Sequence, residues 1–191
     1  MTATNGFLGT LDPTSGVGDF NAFSFLCAQM INRICTMQPV LVKAVGTTTV
    51  DVQPMVHMID GDGSPTPHGI IHGLPFMRLQ GGTSAVILNP VVGDIGFAVF
   101  ASHDISSVKA NKAPSNPGSR RRYDWADGVY IGGILNGTPT EFIQFSNGGG
   151  VTITTPGTVS ISASSLTHNG VNVGATHYHA DPQGGDTGPP L

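Results

Sequence analysis

The sequence predicts a mostly β protein, with a small N-terminal barrel of the OB-fold type and a C-terminal intertwined trimeric β-helix or β-prism. Three observations carry this expectation. Only 10% of the 191 residues are charged, against roughly 25% in ordinary domains. Glycine (27) and proline (14) are abundant while 39% of the residues stay hydrophobic, a balance that disfavours both a helical bundle and a disordered chain and favours short strands with many turns. Beyond residue 140, each apolar run is a single narrow stripe between Thr, Ser and Asn, too thin to make a core within one chain.

Residues 1–18 are rich in Gly, Thr and Asp and read as extended. Asp19 is placed to cap a helix running from Phe20 to about Met37. Phe23, Leu26, Cys27, Met30, Ile31 and Ile34 follow the 3–4 spacing of an amphipathic face. That face can dock on its own domain or on a partner, and the sequence leaves both open. From Pro39 the pattern turns to β. Strands are expected at Val40–Val45, Thr49–Val56, Ile70–Leu79 with an interruption at Gly73 and Pro75, Ala85–Leu88 and Ile95–Phe100. Five short strands in about 70 residues suit a closed Greek-key barrel. Asp60 to Pro65 is turn chemistry, and Asp104 to Lys109 reads as one helical turn.

Residues 111–128, with the basic run Arg120–Arg122, read as a linker. Short strands follow at Val129–Ile131, Glu141–Phe145, Val151–Thr154 and Val159–Ala163. Their stripe is expected on the axis of three chains, with Val151, Ile153, Val159, Ile161, Val171, Val173 and Ala175 turned inward. The expected division is therefore 1–38 for the extension and helix, 39–110 for the barrel, 111–128 for the linker, 129–170 for the trimeric needle and 171–191 for its apex.

The apex holds the clearest chemical signal. In a strand, residues of one parity share a face, so the Val171–Val173–Ala175 face runs directly into His177 and His179. Two buried imidazoles require partners, and a metal ion satisfies both. One chain supplies two nitrogen ligands and three chains supply six. Six suit an octahedral ion, so iron is expected in place of zinc, whose structural sites hold four ligands.

Other chemistry is weaker. Asp60 and Asp62 faintly resemble a calcium loop, but Ile71 stands where that loop needs its Glu. Ser102, His103 and Asp104 lack a nucleophile elbow. His57, His68 and His72 read as scattered barrel residues. Acidic residues after Asp127 are only Glu141, Asp181 and Asp186, which argues against a glycosidase pair. No enzyme is expected. The net charge of −4 gives no footprint for nucleic acid, and Arg120–Arg122 is expected to face acidic surface on a neighbouring chain. Met1 to Gly18 shows no secretory signal. If helical, Cys27 and Cys35 lie roughly 12 Å apart, too far for a disulfide, as expected of a chain kept in a reducing cytoplasm.

The stretches VDVQPMVHMIDGDG, PHGIIHGLPFMRLQGG, NPVVGDIGFAVFASHDISSVK, RRRYDWADGVYIGGILNGTP and LTHNGVNVGATHYH, spread over most of residues 49–179, are similar to the central spikes of contractile-tailed phages, the membrane-puncturing spike family. The resemblance implies a homotrimer with an N-terminal OB-fold and a β-helical needle. It implies one iron ion per trimer, held at the apex by a His-x-His from each chain, here His177 and His179. It also implies a virion protein at the tail tip, made in the host cytoplasm. Its N-terminal region and OB-fold would meet the tail hub and baseplate, and its tip would meet the host outer membrane. The chain has no room for the lysozyme domain that some larger spikes carry. The rival expectations are a polysaccharide-degrading or receptor-binding tail spike, or the spike of a contractile bacteriocin.

Overall fold

The structure is a computed structural model that describes residues 18–60, 62–180 and 182–185. The expected extended segment at residues 1–17 and the last residues of the apex segment lie outside these. The chain is mostly β and divides into two compact units, residues 1–137 and 138–191.

The first unit opens with helix α1, Asp19–Asn32. Gly18, at φ 85°, turns the chain into the helix and accepts the first backbone bond from Ala22 N. Asp19 is therefore not the cap but sits in the first turn, where its charge still favours the helix dipole. The helix stops at Asn32, short of the expected Met37. Pro39 disfavours helical backbone at Gln38, and strand β1, Met37–Val45, takes over. No residue of α1 is buried, and Phe20, Phe23, Leu26, Met30 and Ile31 are all exposed.

The sheet that follows is a curled half-barrel. Strand β1 pairs antiparallel with β2, Thr49–Pro54, through a register shift between Val42 and Ala44. Two short hairpins lie outside the main sheet. One joins β3, Met58–Ile59, to β4, Pro65–Thr66. Next comes β5, Ile71–Pro75, which pairs with β2. The second hairpin joins β6, Leu79–Gly81, to β7, Ser84–Val86. Strand β8, Ile95–Phe100, returns to pair with β1. Helix α2, Ser106–Asn111, and a 3₁₀ turn, Trp125–Asp127, lead to β9, Gly128–Gly133, which pairs with β8.

The sheet order is β5-β2-β1-β8-β9. The expected strand at Ala85–Leu88 is not in it, because its residues fold back on Leu79–Gly81. The fifth place is filled by residues 128–133, which were expected in the needle. The boundary thus falls at Gly137/Thr138 and not at 128/129. The two edges of the sheet meet at one point, where Phe76 and Tyr130 form a parallel bridge and Met77 N donates to Tyr130 O at 2.8 Å.

Strict alternation sends one face of each strand inward. Val40, Val42, Val50, Val52, Leu74, Phe76, Ala98, Phe100 and Tyr130 form the core, with Cys35 at its margin. Burial pushes the Cys35 thiol up to about 11, with a smaller push from Asp124. Both Cys35 and Cys27 are free thiols. The Tyr130 ring lies over Gly96, where a Cβ would collide with the ring and with the Gly132 carbonyl.

The second unit is thinner. Strands β10, Phe142–Ser146, and β11, Gly150–Thr154, make one hairpin, and β12, Thr167–His168, and β13, Val171–Asn172, make another. The expected strand at Val159–Ala163 pairs with nothing among the described residues.

Two substitutions test which contacts hold the first unit. Gly96→Ala should disturb the β8–β9 pairing and lower stability by about 1–3 kcal/mol, the usual range for overpacking. Leu74→Ala should lower it by about 2–5 kcal/mol, both read from urea midpoints of the tryptophan signal. Wild-type midpoints for both would mean that the core is not built around this closure.

Candidate metal centre

His177 and His179 come together, though not by the route that strand alternation predicts. Strand β13 ends at Asn172. The chain then turns at Gly174–Thr176, and His177 N donates to Gly174 O at 3.1 Å. Asn172 holds this turn: its Oδ1 accepts from Gly174 N at 2.9 Å and its Nδ2 donates to Thr176 Oγ1 at 3.0 Å. Beyond the turn the two rings stand nearly perpendicular, with centroids 5.0 Å apart.

The donor atoms converge. His177 Nδ1 lies 2.7 Å from the Gly174 carbonyl. A carbonyl only accepts, so Nδ1 carries the proton and Nε2 presents a lone pair. This is the second-shell arrangement that orients a metal-binding imidazole. His179 Nε2 donates to His177 Nε2 across 3.2 Å. With metal–nitrogen bonds of about 2.1 Å, two nitrogens on one ion sit roughly 3.0 Å apart in cis octahedral positions and roughly 3.4 Å apart in tetrahedral ones. The pair therefore fits two positions on one ion. Among the described residues, no third His, Cys, Asp or Glu joins them within one chain.

The other candidate residues go elsewhere. Asp60 and Asp62 close their own hairpin: Asp60 Oδ2 accepts from Thr66 Oγ1 at 2.6 Å, and Asp62 Oδ1 from Ser64 N and Oγ. His72 Nδ1 donates to Asp51 Oδ2 at 2.7 Å, and Gly73 N donates to Asp51 Oδ1. These bonds hold the Asp51 carboxyl below its usual range, the His72 bond most of all. His68 stacks at a tilt on Trp125, centroids 4.9 Å apart, and Trp125 meets Phe100 edge-on. His57 lies beside Cys35, Met58 and His68 on the surface. Ser102 and His103 bond to each other at 2.8 Å, but Asp104 turns away from both.

Asp104 belongs to a cluster that sequence reasoning did not find. Its carboxylate and that of Asp127 are almost wholly buried and share the Arg121 guanidinium. Arg121 Nε donates to Asp127 Oδ2 at 2.7 Å, and its Nη2 donates to Asp104 Oδ1 and Asp127 Oδ1, both at 2.9 Å. Ser119 Oγ donates to Asp104 Oδ2 and Ile105 N to Asp127 Oδ1. The supposed linker is thus pinned to the first unit, and Arg121 faces acids of its own chain. The Ser106 and Ser119 bonds, with Arg121, hold the Asp104 carboxyl well below the usual carboxylate range. The Arg121 bonds do the same for Asp127. No local pattern in the sequence marks it.

No protein-family model matches the chain, and a search of the curated proteins finds no significant match.

Two outcomes follow from these geometries. The double change His177→Ala, His179→Ala should remove all metal bound at this pair while the first unit keeps its melting transition, read by elemental analysis and tryptophan fluorescence. Because ligation needs neutral imidazole, acid should also release the ion. For the clamp, carboxyls depressed in the folded state contribute stability above the unfolded value near 3.8, lost as pH falls through their lower folded values. The clamp should therefore survive at pH 4.5. Arg121→Met reverses the sign at Asp127, where burial and the Asp104 charge then oppose ionisation, while the Ser106 and Ser119 bonds still hold Asp104 down, so this variant should gain stability as pH falls from 7 to 4.5. Parallel melting-versus-pH curves for the two proteins would refute the clamp.

Proposed function

We propose that the chain is a structural central spike that works as a homotrimer at the tip of a contractile tail and is driven mechanically through a host outer membrane. One observation carries the reading: no described residue after Gly137 is buried. In β10 and β11, Ile143 stands opposite Ile153 and Phe145 opposite Val151, so all four share one face. Each is more than half exposed. A unit with ordered backbone and no core must find its burial elsewhere, because ordering entropy is not offset by exposed apolar groups. Three copies wrapped about an axis cover this face and give Val159–Ala163 partners on neighbouring chains. That is an intertwined β-helix or β-prism.

The same assembly brings three His177–His179 pairs to one point. Six imidazole nitrogens then surround a single ion, and the 3.2 Å spacing fits the cis positions of an octahedral site. Iron is the ion proposed. Such a clamp would supply what a piercing needle needs, resistance to unfolding under force, and no catalytic step is required of it.

At the other end, the sheet order β5-β2-β1-β8-β9 with its parallel bridge supports an OB-fold reading of the first unit. The exposed apolar stripe of α1 is a surface for the tail hub. The similarity of residues 49–179 to membrane-puncturing spikes points the same way.

Native mass spectrometry of the full chain should give three chains per particle, and Ile153→Asp should give monomers with an intact first unit. Gold-labelled antibody to the protein should mark the tip of tail particles. A stable wild-type monomer, or label along the tail sheath, would overturn the proposal.

A further inference from the structure

The β12–β13 hairpin holds a third histidine in an unexpected place. Its turn residues, Asn169 and Gly170, have φ of 50° and 80°, the left-handed pair of a two-residue hairpin. His168 stands opposite Val171 and Thr167 opposite Asn172. Val173 N donates to Leu166 O at 2.9 Å, which carries the pairing one step further. The faces are therefore fixed. Leu166, His168, Val171 and Val173 lie on one side, and Thr167 and Asn172 on the other. His168 is the single polar side chain of an apolar face, and whatever covers Leu166, Val171 and Val173 covers it too. These three are 40%, 66% and 44% exposed in one chain.

His168 does not belong to the His177–His179 pair, since no three such side chains group together among the described residues. Among the described residues, no hydrogen bond engages its ring. Given the three-chain reading above, on which this inference rests, the face turns to the axis and three His168 rings meet at one level of it. Their neighbours there, Leu166, Val171 and Val173, offer neither donor nor acceptor. A buried ring without a partner is costly, whereas three imidazoles and one water make a complete tetrahedral metal shell. We propose that His168 forms a second metal site in the needle, with three nitrogens and one water, separate from the six-nitrogen apex. Three nitrogens and an open position suit a zinc-type ion, unlike the iron proposed for the tip.

The test uses full-length protein equilibrated with cobalt(II) as the probe, with native mass and elemental analysis on the same samples. Wild type should carry two ions per trimer. His168→Leu, which keeps the face apolar, should carry one, and so should His168→Gln. His177→Ala, His179→Ala should also carry one, and the triple variant none. A visible cobalt band of a tetrahedral site should persist in the apex variant and vanish when His168 is also changed. Wild-type trimers with one ion, unchanged by His168→Leu, overturn the second site and leave the assembly standing. Bound halide in place of metal also overturns it. A monomeric wild-type mass overturns the assembly itself, and this site with it.

Discussion

The meeting of Phe76 with Tyr130 shapes the first unit. Without that parallel bridge, β5 and β9 would be two open edges of a twisted sheet. With it, the inner faces of five strands curl around one set of side chains, and Val40, Val52, Leu74 and Ala98 lose all contact with water. The bridge depends on small residues. Gly96 leaves room for the Tyr130 ring, and Gly128 lets the backbone pass close to Phe100 and Leu74. Glycine here serves close approach, not flexibility.

The Arg121 clamp follows from the same closure. Strand β9 can join β8 only if the chain between α2 and β9 returns to the sheet. Arg121 holds that return by bridging Asp104, just before α2, to Asp127, just before β9. A buried pair of like charges is unfavourable alone. Around one guanidinium, with serines and the backbone amides of Ile105 and Ser106, it becomes a satisfied network that fixes the path of the chain. The β-unit thus has its own core and its own lock.

Among its described residues the second unit has neither, and that contrast is the main physical fact about the molecule. Its hairpins are locally well specified by turns at Asn147–Gly149 and Asn169–Gly170, and they sort side chains cleanly by face. What they do not do is bury anything. They leave Ile143, Phe145, Val151 and Ile153 exposed together on one face. The imidazoles of His177 and His179 converge to 3.2 Å on the same unit, with no third such side chain beside them among the described residues.

How much of this was legible in the sequence depends on the range of the interaction. Alternation of apolar residues located β1, β2 and β8, because burial of one face imposes period two on the residues themselves. Turn chemistry placed the 58–66 hairpin, since Asp and Ser bond to backbone two residues away. His177 and His179 were visible as a pair, but the argument from a continuous strand was not what joins them. A turn held by Asn172 does so, and a two-residue strand followed by a turn leaves no periodic trace. Val129–Ile131 was legible as a strand but not as the fifth member of the sheet, and the Asp104–Arg121–Asp127 clamp could not be read at all. Strand β9 pairs with a strand about thirty residues earlier, and Arg121 reaches back 17 positions to Asp104; no local pattern records which distant partner a strand edge or a charge will choose. Sequence alone determined the mostly β character, the facial sorting and the candidate ligands, because those follow from each residue's own chemistry and its neighbours. Tertiary structure decided which strands share a sheet, where the units divide and which carboxylates an arginine would hold, because those depend on how the chain closes on itself.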